Sequence, residues 1–128
     1  MPSGFDVPSG GHLPDRLIPI AHRLAEYLRK SREAGTITPE TPKTAGDLSS
    51  IIEGIGLRAE GPEIRAMVNY LRCNRHPIAS TVSGYFWATS REELNSTVMH
   101  MMDRISGIQH AVTGLEKAFP VGGQRELI

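Results

Sequence analysis

Apolar residues recur along most of this chain with helical spacing, and the pattern breaks at a few Pro- and Gly-containing points that divide it into elements. Between Pro14 and about Glu33, Leu17, Ile20, Ala21, Leu24 and Leu28 form one stripe, with Arg16, Arg23, Arg29, Lys30 and Arg32 on other faces. The linker from Ala34 to Lys43 holds Gly35, Pro39 and Pro42, which interrupt helical structure. A second stripe, Leu48, Ile51, Ile52 and Ile55, follows i, i+3, i+4, i+7 spacing and opens at Thr44, with Asp47 three residues on as a helix-start signal. Gly54 and Gly56 close it. Pro62 suits the first turn of a third helix, where a missing N–H costs nothing, and Ile64, Met67, Val68 and Leu71 carry its buried face until His76-Pro77 stops it.

The pattern then changes period. Residues Ile78 to Thr89 are β-branched and aromatic around Ser83-Gly84, which predicts a β-hairpin with a Gly turn. Alternation sends Tyr85 and Trp87 to one face and Phe86 to the other, so one of the two faces is expected to pack on the helical core. Ile37 in the preceding linker is expected to add a short extended piece that pairs with this hairpin. From Ser90, with Glu93 three residues later as a capping box, apolar residues fall at Leu94, Val98, Met101, Ile105, Ile108, Val112, Leu115 and Phe119, alternating four and three. That is a heptad seam on a helix of about 45 Å.

Helix, tight turn, helix and hairpin, in that order, predict a mainly α (α+β) fold: a winged helix-turn-helix with a short β-hairpin wing and a long C-terminal helix. The expected organisation is a flexible arm over 1–13, the winged domain over 14–89, the long helix over 90–119 and a flexible tail over 120–128. The Pro-, Gly- and Ser-rich arm, with PSG at Pro2 to Gly4 and again at Pro8 to Gly10, has too few apolar groups to offset the entropy of ordering.

Two segments carry a family resemblance: Ile64-Arg-Ala-Met-Val-Asn-Tyr-Leu-Arg, then His76-Pro-Ile-Ala-Ser followed by Gly84-Tyr-Phe-Trp. They are similar to the second helix and wing of biotin-repressor-like winged-helix domains, and the whole of about 44–115 resembles small phage and prophage proteins in which a wing is followed by a long helix. The resemblance implies a second helix that enters the major groove of double-stranded DNA and a wing that touches backbone or minor groove. Carried onto this chain, it places Arg65, Asn69 and Arg72 on the reading helix and Ser80, Thr81 and Ser83 near the wing tip. No biotin-binding or ligase portion follows in this sequence.

The residues make a parallel case of their own. With Ile64, Met67, Val68 and Leu71 facing inward, Arg65, Asn69 and Arg72 fall at i, i+4 and i+7 on the outer face, a stripe of donors suited to base edges and phosphates. Lys43, Arg58 and Arg75 add phosphate-binding candidates. The same residues also fit an ordinary solvated helix face, and Glu60 and Glu63 suit the helix dipole while repelling phosphate.

Charge neither helps nor forbids this reading. The formal net charge is zero, whereas phosphate neutralisation supplies most nonspecific affinity. Residues 14–33 carry five basic and three acidic groups, 43–91 six and four, and 92–128 three and five. A homodimer through Ile105, Ile108, Val112, Leu115 and Phe119 would compensate by presenting two readers to a two-fold site. The alternative for the same seam is to fold back over the first helix and complete a monomeric core. Gly107 and Gly114, one heptad apart on its flank, lower helix propensity while permitting close approach or a bend.

Other chemistries find little support. The lone Cys73 and the lack of an apolar run of membrane length point to a reducing cytoplasm and no membrane. Cys73 and His76 form C-x-x-H, and Met99, His100, Met101, Met102 and His110 share the last helix. A zinc site needs four convergent ligands, and positions 100 and 110 do not share one helical face. No phosphate loop, G-x-S-x-G or H-E-x-x-H is present. The expectation is a protein with no catalytic residues, no metal and no cofactor: a phage-type transcriptional regulator or DNA-replication accessory factor, or else a module that binds a replication or transcription protein.

Overall fold

In the computed structural model of the chain, residues 12–119 are described. The chain divides into two units, Met1–Leu94 and Asn95–Ile128, and the boundary falls inside one continuous helix.

In the first unit a 3₁₀ turn (Asp15–Leu17) runs into α1 (Ile18–Ala34), followed by α2 (Ala45–Gly54) and α3 (Gly61–Cys73). Strands β1 (Ile78–Thr81) and β2 (Gly84–Trp87) then pair antiparallel, with Ile78 opposite Trp87 and Thr81 opposite Gly84. The fold is mostly helical with one small sheet. All three predicted apolar stripes point inward: Leu17, Ile20, Ala21, Leu24 and Leu28 of the first stripe, Leu48 and Ile52 of α2, and Ile64, Met67, Val68 and Leu71 of α3 are buried in one cluster. Phe86 joins them from β2, whereas Tyr85 and Trp87 on the opposite face are half-buried.

Local chemistry sets the helix boundaries. Thr44 and Asp47 form a reciprocal capping box at the start of α2, which leaves the Asp47 carboxyl below its ordinary range because it accepts from the Thr44 backbone. The helix ends at Gly54, and Gly56 adopts φ 85°. Ile55, expected in the buried stripe, therefore leaves helical phase and is exposed. Leu13, expected in the mobile arm, is buried in the core cluster beside the 3₁₀ turn.

The linker contributes its extended partner from a different residue than expected. Ile37 is 1% exposed and packs in the core, its N–H directed at the Ser31 carbonyl. Lys43 instead bridges the hairpin, exchanging backbone hydrogen bonds of 3.0 and 2.7 Å with Tyr85. This crossing explains Gly84. The hairpin turn is made by Val82 and Ser83, and Gly84 opens β2 at φ 140°, where a side chain would collide with the Lys43 carbonyl. Glycine is required by the close approach of a third segment rather than by the turn.

α4 (Arg91–Ala118) starts on the first unit. Ser90 accepts from the Glu93 N–H at 3.3 Å, while the Glu93 carboxylate reaches back to the N–H of Thr89 instead of Ser90. Arg32 of α1 grips that carboxylate with both Nη atoms at 2.8 Å and also donates to the Trp87 carbonyl. Leu94 packs on the core next to this joint. In the second unit α4 continues from Asn95, and Ile105, Ile108, Val112, Leu115 and Phe119 are exposed. Among the described residues no helix is long and apolar enough to cross a membrane. The tail 120–128, and all but the last two residues of the expected arm, lie outside the described residues.

Candidate nucleic-acid interface

α3 is a short, well-terminated helix, and its two ends decide what its outer face presents. At the N-terminus Glu60 and Glu63 form a capping box, with Pro62 in the first turn. Ser49 of α2 fixes the preceding turn by donating to the Ala59 carbonyl at 2.6 Å. The two carboxylates that would repel phosphate are each met by a cation. Glu63 accepts from the Glu60 N–H at 2.9 Å and from Arg16 of the 3₁₀ turn at 2.5 Å, and these two contacts hold its carboxyl below the ordinary range. Glu60 lies 3.5 Å from Arg58. Arg58, expected as a phosphate ligand, thus spends part of its charge within the chain, although it stays largely exposed.

The C-terminus of α3 closes with His76 N–H on the Leu71 carbonyl and Arg75 N–H on the Arg72 carbonyl, both near 3 Å. This pair of bonds requires a left-handed residue between them, a place usually taken by glycine. α1 ends in the same way with Gly35 at φ 79°. At the end of α3 the position is occupied by Arg75, at φ 73° and exposed, the one described non-glycine residue with positive φ.

Between the ends, the predicted stripe splits in two. Arg65 is exposed, and Asn69 is half-buried. Arg72 does not project outward as expected. Its Nε donates to the Ile78 carbonyl at 2.8 Å and its Nη2 to Ser80 Oγ at 3.2 Å, with the guanidinium carbon 6.0 Å from the centre of the Tyr85 ring. Because i+7 on α3 is the turn that meets β1, an arginine there satisfies a strand-end carbonyl before it reaches solvent. Ser80 is drawn into the same joint. Thr81 and Ser83 remain exposed near the tip, where Thr81 Oγ1 accepts from the Ser83 N–H at 3.0 Å. Lys43 is half-buried, its backbone committed to the bridge with Tyr85.

Three features have no counterpart in the sequence reading. Val82 is fully exposed at the hairpin tip. A run of edge-on rings, Tyr70–His22–His76–Trp87, with centroids 6.1, 6.4 and 6.0 Å apart, braces α1, α3 and β2 together. An apolar cleft of about 130 Å³ opens between α1 and α2, lined by Ile20, Leu24, Tyr27, Ile51, Ile55 and Leu57 with Arg23 beside them. No signal in the sequence pointed to the cleft, because Ile55 fits the buried stripe by spacing and leaves it only through the helix end at Gly54. Cys73 is free and exposed, and among the described residues no group of three or more His, Cys, Asp or Glu side chains converges on a point.

Comparison with family models, with curated proteins and with solved structures finds no match to this chain. The functional reading therefore rests on geometry and chemistry.

Proposed function

We propose that this chain is a DNA-binding protein of the winged helix-turn-helix type, working as a phage-type transcriptional regulator or replication accessory factor by binding rather than by catalysis. In this reading α2 and α3 are the helix-turn-helix, α3 enters the major groove of a DNA duplex, and the β1–β2 hairpin is the wing.

The observation that carries the proposal is the pairing of two exposed arginines with a fixed hairpin. Arg65 and Arg75 are exposed and, among the described residues, neither forms an ion pair. The hairpin is locked to α3, the helix that carries Arg65, through Arg72. Arg65 and Asn69 face base edges in this account, and Arg75, Lys43 and Arg58 face phosphates. Thr81 and Ser83 meet the backbone next to the wing, while Arg72 and Ser80 hold helix and wing in one relative position. Arg16 and Arg58 lessen the repulsion that Glu60 and Glu63 would exert on an approaching strand.

A homodimer through Ile105, Ile108, Val112, Leu115 and Phe119 belongs to the same proposal. Each such side chain contributes about 1.5–3 kcal/mol when fully buried, and all five are exposed. Joining two weak readers raises their effective concentration, which a chain of zero net charge needs. Selection of bound sequences from a random duplex pool tests the function. The native chain is expected to enrich a two-fold motif, and an Arg65→Ala, Arg75→Ala variant none; enrichment of nothing by the native chain would refute it.

A second reading is favoured by the cleft between α1 and α2. Its apolar lining, with Ile55 at the surface, suits an apolar side chain of a replication or transcription protein. On that reading the chain retains no duplex even at low salt.

A further inference from the structure

The cleft between α1 and α2 has the size of a single side chain. Its volume, about 130 Å³, falls well below the roughly 300–1,000 Å³ of small-molecule sites. Ile20, Leu24 and Tyr27 of α1 make one wall, and Ile51 and Ile55 make the other. Arg23 stands beside them, exposed, and among the described residues it forms no ion pair. An arginine at the rim of an apolar slot favours an aromatic ring, whose face attracts the guanidinium, with a carboxylate next to it.

The chain carries that pair in its own sequence. Residues 1–11 precede the described part, and within them Phe5 is the one aromatic residue and Asp6, its neighbour, the one acidic residue. Reach permits the match. Leu13 is buried in the core cluster, two residues before the 3₁₀ turn that runs into α1. Phe5 lies eight residues before Leu13, up to about 26–29 Å of extended chain. The α1 wall of the cleft starts two residues into that helix and is about 10 Å long from Ile20 to Tyr27.

Tethering decides between this segment and a separate protein. A slot for one side chain offers too little apolar burial to offset the freedom that an unattached partner loses on binding. A segment of the same chain meets the slot at an effective concentration of about millimolar, so the same burial suffices.

We propose that the N-terminal segment of the chain fills this cleft, with the Phe5 ring between α1 and α2 and the Asp6 carboxylate on Arg23. The inference is independent of DNA binding. A partner protein of the kind considered above would have to displace Phe5 to enter.

NMR of the full-length chain with labelled methyl groups tests this. In the native chain the Phe5 ring protons should give cross-peaks to the Ile20, Leu24 and Ile55 methyls. Phe5→Ala should abolish them and shift those methyls, while the signals of Met67 and Leu71, deep in the core, stay in place and show that the fold is kept. Arg23→Gln should weaken the same cross-peaks. Absence of ring cross-peaks in the native chain, or cleft methyls that Phe5→Ala leaves unmoved, would overturn the inference. So would cross-peaks from the cleft to the Val121 or Leu127 methyls, or ring cross-peaks seen only between separately labelled copies, since each puts a different occupant in the cleft.

Discussion

The Arg72 guanidinium lies between the Ile78 carbonyl and Ser80 Oγ, at 2.8 and 3.2 Å, so the last turn of α3 and the first strand of the hairpin move as one piece. Arg65, two turns earlier on the same stripe, is exposed. Two arginines that look equivalent in sequence should therefore fail in different ways. Arg72→Ala leaves a strand carbonyl without its charged donor and should lower stability by about 1–3 kcal/mol. Arg65→Ala should change stability by no more than about 0.5 kcal/mol, yet weaken binding to the preferred duplex by about 1–3 kcal/mol. Urea denaturation and duplex titration of both variants check this contrast.

Arg75 occupies a left-handed position that glycine would fill without strain. Arg75→Gly should raise stability by up to about 1 kcal/mol, since a left-handed non-glycine residue costs roughly that much. The same change should weaken DNA binding and flatten its salt dependence by about one phosphate contact per reading unit. A stabilised variant with unchanged affinity would mean that the arginine has no part in binding.

Arg32, together with the Thr89 N–H, holds the Glu93 carboxyl down to about 2, well below its ordinary value. A folded-state pKa below the unfolded one means that the unfolded chain binds the proton first. The stabilisation is then fully present above about pH 4.5 and is lost as pH falls toward 2. Glu93→Gln should lower stability near neutrality by about 2 kcal/mol, and should flatten the acid limb of a thermal-melt series across this window.

Gly107 and Gly114 weaken α4 without an evident packing reason, because an added Cβ at either meets nothing within 4 Å. Both fall at heptad position c, off the seam. Replacing both by alanine should raise helicity and stabilise the helix by about 1 kcal/mol per site, leaving the dimer intact or tighter. Dissociation in sedimentation would show instead that the glycines allow close approach between helices.

Much of the architecture was legible because each stripe of α1, α2 and α3 repeats at helical spacing and ends at residues with evident backbone reasons: Gly35, Gly54 and His76-Pro77. What escaped were contacts that join distant parts of the chain. Nothing local in the sequence says that Lys43 crosses Tyr85, so Gly84 read as a turn residue and Ile37 as the pairing segment. For the same reason Arg72 looked like a free reader: helix periodicity gives the face a side chain starts from, while the carbonyl of Ile78 that captures it belongs to another element. Arg75 kept its expected exposure, but the left-handed backbone beneath it could be seen only once the helix end was in place.

The account stands or falls on whether α3 and the hairpin grip a duplex through charge and specific contacts. Fluorescence anisotropy of the native chain with a labelled duplex carrying its selected motif, titrated between roughly 50 and 200 mM salt, measures this. The expected result is preference for the motif over a scrambled duplex and affinity falling steeply with salt, with both lost in the Arg65→Ala, Arg75→Ala variant. Failure of the native chain to retain either duplex at the lowest salt, or equal binding by the variant, would contradict it.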